Sequence, residues 1–331
     1  MAKRQKRVFI LGGGAALGAH HVGALKYLDE EGIKPDAIIG SSIGVLNACC
    51  YASGGVPALE EAWSGFRSLL RIFSPSLRHN PFFGISIFSM DRLTRAVEEH
   101  IDFPKIYESR IELEFILLNL SRGRGEVYSK RDCADWRELR TVSRAGYAVP
   151  LLFPPVHFRG DWFVDGGFAW NIPLEHALGM GATEIYLLAP IASQLPYQGR
   201  LGSIVDFAQR FADVMWRTIG NMGYLYARMD HGRLNGVPVT VIEPGEQFSG
   251  FGPLHVFNAY PGKNLRLMAA GYRDAKRVLA TRRRVEAAPA GPSGADRGHA
   301  QSVERHPART SGGKVVSLRV AEPIDDHGAD S

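Results

Sequence analysis

The stretch RVFILGGGAALGAHHVGALKYLDEEGIKPDAIIGSSIGVLNACCYAS, residues 7 to 53, decides the fold class. Residues 7–11 are a short apolar run ending at a glycine turn, Gly12-Gly13-Gly14, and from about 15 to 32 the apolar spacing is helical. Ala16, Ala19, Val22, Gly23, Leu25 and Leu28 give that helix a small-residue face suited to lying closely on a sheet. A second apolar run at 36–40 ends in Gly40, and a second helix is expected over 43–53. Strand, helix, strand, helix is the opening of an α/β protein, in which parallel strands are crossed by helices packed on the sheet.

Downstream the alternation continues. Residues 112–120 and 126–129 read as strands, 135–149 as a helix, and 156–164 as a hairpin around Arg159-Gly160-Asp161. Further strands are expected at 184–188 and 239–242, and helices at 201–226 and 263–279. No fixed-period repeat or low-complexity linker divides residues 1–284, which read as one domain. After Arg282-Arg283-Arg284 the chain turns Ala/Pro/Gly/Ser-rich without aromatic residues, so burial cannot offset its ordering entropy and 285–331 is expected to be a disordered tail.

Composition narrows the function classes. With 45% of 331 residues apolar and 22% charged, a substantial core is available, so disorder of most of the chain is excluded. No apolar run reaches the roughly 18 residues that a membrane-crossing helix needs. Three cysteines, two of them adjacent (Cys49, Cys50) and one at Cys133, make no disulfide framework, and a reducing, cytoplasmic setting is expected. The basic start at Lys3, Arg4, Lys6 and Arg7 imitates a secretory leader, but only four strongly apolar residues follow before Gly12. The tail holds five Lys or Arg against seven Asp or Glu, so the net +5 of the chain leaves +7 on residues 1–284. That excess is compatible with peripheral contact with an anionic membrane, and no nucleic-acid module accompanies it.

Gly40-Ser41-Ser42-Ile43-Gly44 fits G-x-S-x-G at a strand-to-helix junction. Small flanking residues let the backbone bend sharply there, presenting Ser42 as a nucleophile above the sheet edge; the plainer reading is a helix cap. Gly12, Gly13, Gly14 and Ala15 form a turn whose backbone N–H groups suit an oxyanion, and as neighbours the first two strands open both turns on one edge. A dinucleotide fingerprint is the competing reading of Gly12, Gly14 and Gly18, but the spacing is one residue too long and no ribose-binding acid ends the second strand. Asp165, closing an apolar run and followed by Gly166-Gly167, is the candidate general base.

These residues resemble the patatin-like phospholipase family, from about residue 7 to 188 with weaker support to 279. Three blocks match in order: Gly12 to Gly18 as the oxyanion loop, Gly40 to Gly44 as the elbow, and Asp165-Gly166-Gly167 as the aspartate block. The surroundings match too, at Gly32-Ile33-Lys34-Pro35-Asp36, Val45-Leu46-Asn47-Ala48 and Pro150-Leu151-Leu152-Phe153-Pro154-Pro155. The resemblance implies a three-layer α/β/α sandwich with a mainly parallel central sheet and a Ser42–Asp165 dyad without histidine. It also implies an acyl-enzyme on lipid or other acyl esters, with neither metal nor organic cofactor. Leu17 stands where many members carry Arg or Lys, which bears on head-group preference; His20 and His21 follow within a turn, where helix histidines read as solvated or packing residues.

Residues 63–90 interleave Trp63, Phe66, Phe73, Phe82, Phe83 and Phe88 with Arg67, Arg71 and Arg78, a composition suited to an interfacial cap over the site or to ordinary core. Two rivals remain at this point. One is an α/β-hydrolase triad using His176, His231 or His255; the other is a non-catalytic lipid-binding protein on the same fold.

Overall fold

A computed structural model of the chain describes residues 5–65, 74–75, 86–193, 202–219, 229, 232–245 and 259–287. Strand β1 (Arg7–Leu11) enters the glycine turn and a single 3-10 turn (Ala15–Gly18) before helix α1 (Ala19–Glu30). Strand β2 (Ala37–Gly40) leads to α2 (Ile43–Gly65), which bends at Gly55, where φ is 68°, two residues ahead of Pro57. The two-residue strands β3 (Ser74–Pro75) and β4 (Phe88–Ser89) pair antiparallel, followed by α3 (Asp91–Glu98) and α4 (Phe103–Glu108). Then come β5 (Glu112–Asn119), β6 (Arg124–Ser129) and α5 (Trp136–Gly146), the last begun by Asp135, whose carboxylate accepts from the Arg137 and Glu138 amides. The hairpin β7 (Val156–Phe158) and β8 (Asp161–Asp165) turns through left-handed Arg159 and Gly160. Helix α6 (Leu174–Gly179), β9 (Glu184–Leu188), α7 (Ile204–Ile219), β10 (Arg233–Leu234), β11 (Val237–Ile242) and α8 (Pro261–Ala287) follow among the described residues.

The central sheet has the order β10-β11-β9-β1-β2-β5-β8-β7, with β6 on the other edge of β5. Its middle, from β11 to β5, is parallel, and β6, β8 and β10 join antiparallel. Alternate residues of the central strands feed two cores. Phe9, Leu11, Ile38, Phe115 and Leu117 pack with apolar residues of α1, α2, α5 and α8; Val8, Ile10, Ala37, Ile39 and Ile116 pack with Leu174 and Ala177 of α6. Helices therefore cover both faces, the three-layer arrangement expected from strands that are apolar without interruption.

The small-residue face of α1 finds a helix as well as the sheet. A side chain on Gly23 would strike the Met268 carbonyl of α8, and one on Gly271 of α8 would strike the His20 carbonyl of α1. Two glycines thus let these helices cross at backbone contact. Helix α8 also runs to Ala287, three residues into the stretch expected to be tail; the remainder of that stretch, 288–331, lies outside the described residues. So do 66–73 and 76–85 of the candidate cap, and 220–226 of the expected helix over 201–226, of which Ile204–Ile219 is helical.

Register places the site. Leu11 ends β1 beside Gly40 of β2, so the glycine turn and the elbow leave adjacent strands at the same edge. Gly40 pairs with Phe115 of β5, and there β2 stops. Because β6 occupies the opposite edge of β5 from Glu114 to Asn119, β8 enters on the edge that β2 has vacated and brings Asp165 opposite Leu117. Phe115 and Leu117 are two residues apart along one strand, about 7 Å.

Candidate active site

Ser42 has φ 54°, a left-handed conformation that a serine adopts only when its surroundings impose it. Three contacts do so here: the Ser41 amide donates to the Leu11 carbonyl (3.1 Å), and Gly44 and Val45 amides return to the Ser41 and Ser42 carbonyls (2.8 and 2.9 Å). A side chain at Gly44 would fall on the Leu11 carbonyl, so the elbow can pack on β1 only with glycine at that position. Ser42 is 5% exposed and stands at the start of α2, whose N-terminal dipole favours negative charge.

Asp165 is buried at 1% exposure. Its amide is held by the Ala148 carbonyl at 2.9 Å, and its Oδ1 accepts from the Gly167 amide at 2.8 Å. Burial pushes its carboxyl up to about 6, against the opposing pull of the Ser42 hydroxyl and the Gly167 amide. Among the described residues Oδ2 has no partner at normal hydrogen-bond distance, so one buried lone pair remains available on a carboxyl that also interacts with Ser42. A carboxylate short of donors and of water is a stronger base than a solvated one.

The four residues of the expected oxyanion loop divide. The Gly12 amide continues the strand ladder to the Leu188 carbonyl at 3.0 Å, which removes it from the donor set. The Gly13 amide donates to Asn171 Oδ1 at 2.6 Å. The Gly14 and Ala15 amides have no partner among the described residues; Ala15 sits at φ 47°, and the Leu17 amide closes the turn on the Gly14 carbonyl at 3.0 Å. A Cβ on Gly13 would lie 2.9 Å from Ser42 Cβ, so the loop rests directly on Ser42. Asn171 escaped the sequence reading: its only signal is its place six residues beyond Asp165.

Gly40 and Gly166 serve as close-packing positions, against Val45 and against the Ile116 carbonyl of β5, while Gly167 lends Asp165 its amide. Leu17, 8% exposed, belongs to the core, so no side chain there supplies a cation. His20 and His21 are both fully buried, His20 beneath α8, whose Gly271 packs on its carbonyl. His21 Nε2 meets the Leu188 carbonyl at 3.1 Å and Nδ1 meets Asn47 at 3.0 Å; burial and His20 push its pKa down to about 3, so it is neutral. His20 pairs with Asp274 of α8 at 3.1 Å. His176 is bonded to Glu114, on β5, and His231 and His255 lie outside the described residues. Among the described residues no three His, Cys, Asp or Glu side chains converge as metal ligands. A cavity of about 600 Å³ opens beside α3 and α5, lined by Met90, Thr94, Glu98, Arg140 and Arg144; neither Ser42 nor Asp165 lines it.

Comparison with known proteins follows the same residues. The family model described as Patatin-like phospholipase matches residues 9–178. The lysophospholipase nte1 of Aspergillus fumigatus is 31% identical over 182 residues, 54% of this chain and 11% of that protein. The human patatin-like phospholipase domain-containing protein 6 is 27% identical over 179 residues, 53% of this chain and 13% of that protein. The chain thus spans about one-tenth of the length of these curated relatives. Among solved structures, VipD from Legionella pneumophila is similar with a TM-score of 0.44 at 15% identity, covering 85% of this chain and 67% of that one.

Proposed function

The chain belongs to the patatin-like phospholipase family, and from that premise we propose that it hydrolyses carboxylic esters of lipids through Ser42 and Asp165, without a histidine relay. The observation that carries the reading is the meeting of a strained, nearly buried serine with a carboxyl whose desolvation raises it to about 6. In the first half-reaction Ser42 Oγ attacks the acyl carbonyl carbon and its proton passes to Asp165 Oδ2. Negative charge on the former carbonyl oxygen is received by backbone amides of the glycine turn, Gly14 and Ala15, beside the α2 N-terminus. Collapse expels the alcohol, which takes the proton from Asp165, and leaves the acyl group on Ser42. Water then repeats the sequence, with Asp165 again accepting the proton, and frees the acid.

Lipid access is supported by the apolar residues around this edge of the sheet. Phe168 and Trp170, in the segment directly after the aspartate block, are 37% and 44% exposed, and Trp162 is 45% exposed. Aromatic residues of this kind sit at the boundary of water and acyl chains. We assign them the peripheral contact with an anionic bilayer.

The test is a substrate panel of phospholipids, lysophospholipids, neutral glycerides and short p-nitrophenyl esters, run beside a fluorophosphonate probe. Wild type should hydrolyse at least one class and take the label, and Ser42→Ala should do neither while unfolding as wild type does. A folded wild type that ignores every ester and the probe refutes the proposal and leaves a lipid-binding protein.

A further inference from the structure

We propose that Asn171 is a positioning residue for this hydrolysis, a clamp that ties the loop carrying the base to the loop carrying the oxyanion donors; the proposal rests on the hydrolase reading above. Strands β1 and β8 are not neighbours in the sheet, since β2 and β5 lie between them. The glycine turn and the aspartate segment therefore share no ladder. Among the described residues the Gly13 N–H to Asn171 Oδ1 bond, 2.6 Å and buried, is the one hydrogen bond that joins them.

The path to Asn171 is itself fixed. From Asp165 the chain makes a 3-10 turn (Gly166–Phe168), and the Ala169 and Trp170 amides return to the Gly166 carbonyl at 2.8 and 3.0 Å. Trp170 lies over Gly125 of β6, where a Cβ would be 3.4 Å from its ring, and Asn171 itself is 4% exposed. The amide side chain then lies against the glycine turn and the aspartate segment, and Ser42 flanks the same glycine. A Cβ on Gly13 would meet Asn171 Oδ1 at 2.6 Å and Ser42 Cβ at 2.9 Å; one on Gly167 would meet Asp165 Oδ1 at 3.1 Å and Asn171 Oδ1 at 3.6 Å.

The clamp has a mechanical reason. Ala15, two residues on, is held at φ 47°, a conformation that relaxes unless both sides of the turn are anchored. Leu17 anchors one side through the Gly14 carbonyl, and Asn171 anchors the other through the Gly13 amide. The Gly14 and Ala15 amides are thereby aimed before any substrate arrives. Such aim matters where charge develops on the carbonyl oxygen, not where the neutral ester binds.

The test compares Asn171→Ala, Asn171→Ser and Asn171→Asp, with amide hydrogen exchange at Gly13 and steady-state kinetics on a short p-nitrophenyl ester. With Ala or Ser, exchange at Gly13 should accelerate at least about tenfold, and kcat should fall by about 10²-fold, in line with the loss of one oxyanion donor, while KM stays within about twofold. Asp keeps an acceptor of the same shape, so Gly13 should regain its protection. Its added charge beside Asp165 should move the acidic limb of the rate profile upward by about one pH unit, with kcat recovering above that limb. Unchanged Gly13 exchange, a loss carried by KM, or a folded Ala variant within about threefold of wild-type kcat overturns the clamp. The exchange measurement repeated on a Ser42→Ala background separates the two readings. A wild type that turns over no ester refutes the hydrolase and the positioning role together, whereas Gly13 protection independent of Asn171 refutes the clamp alone.

Discussion

Replacing Asp165 by Asn should produce a protein that is nearly inactive and more stable at neutral pH. An unhindered aspartate titrates at 3.8 and this one at about 6, the cause being burial. At about 1.4 kcal/mol per pKa unit, keeping the carboxylate ionised at pH 7 costs the folded state roughly 3 kcal/mol. The sign follows from proton counts: between pH 4 and 6 the folded chain holds more of this proton than the unfolded chain, so stability falls as pH rises through that window and is level above it. Asn removes the charge, leaves an oxygen to accept from Gly167, and should recover about 2–3 kcal/mol at pH 7, or roughly 5–10 °C in a domain of this size. Loss of the base should lower kcat by about 10²–10⁴-fold. Urea or thermal unfolding of both proteins between pH 4 and 8 reads the difference, which should shrink to near zero by pH 4. A wild type that is the more stable at pH 7, or a difference that ignores pH, would refute a desolvated carboxylate and remove the physical ground for its basicity.

Other outcomes follow from the same geometry. Below about pH 6, kcat/KM should drop tenfold per unit, because protonated Asp165 cannot take the serine proton; a flat profile down to pH 4.5 excludes it as the base. Gly13→Ala puts a methyl against Asn171 Oδ1 and Ser42 Cβ, and should lower kcat far more than it raises KM in steady-state assays. His176→Ala, His231→Ala and His255→Ala should each keep ester hydrolysis within about threefold; loss of activity in one folded variant would establish a triad. Trp162→Ser should weaken sedimentation with anionic vesicles and slow hydrolysis of vesicular lipid, yet spare a soluble short-chain ester; equal losses on both substrates would remove this residue from the lipid contact.

What could be read from the sequence, and what could not, divides along a physical line. The elbow and the glycine turn were legible because their backbone shapes admit few residue types, so Gly44 and Gly12-Gly13-Gly14 are written where the chain must bend or approach closely. The central strands were legible because burial on both faces leaves uninterrupted apolar runs such as Val8 to Leu11. The meeting of Ser42 with Asp165 depends instead on β8 taking the edge of β5 that β2 gives up, a register between residues far apart that no local pattern records. Asn171 left no mark for the same reason, since its partner lies 158 residues earlier. The burial of His20 was not legible locally because the helix that covers it comes some 250 positions later. The division of duty among Gly12, Gly13, Gly14 and Ala15 was equally invisible, being set by Leu188 and Asn171.

The glycine-to-glycine crossing of α1 and α8 has a consequence for how the protein is made. The segment matched by the family model stops at 178, while the helix that seals α1 begins at Pro261 and ends at Ala287. A nascent chain that has already exposed α1, Ser42 and Asp165 must wait for about a hundred further residues before Met268 can cover Gly23. Until α8 has been made, Gly23 and the face of α1 around it lack the helix that packs on them.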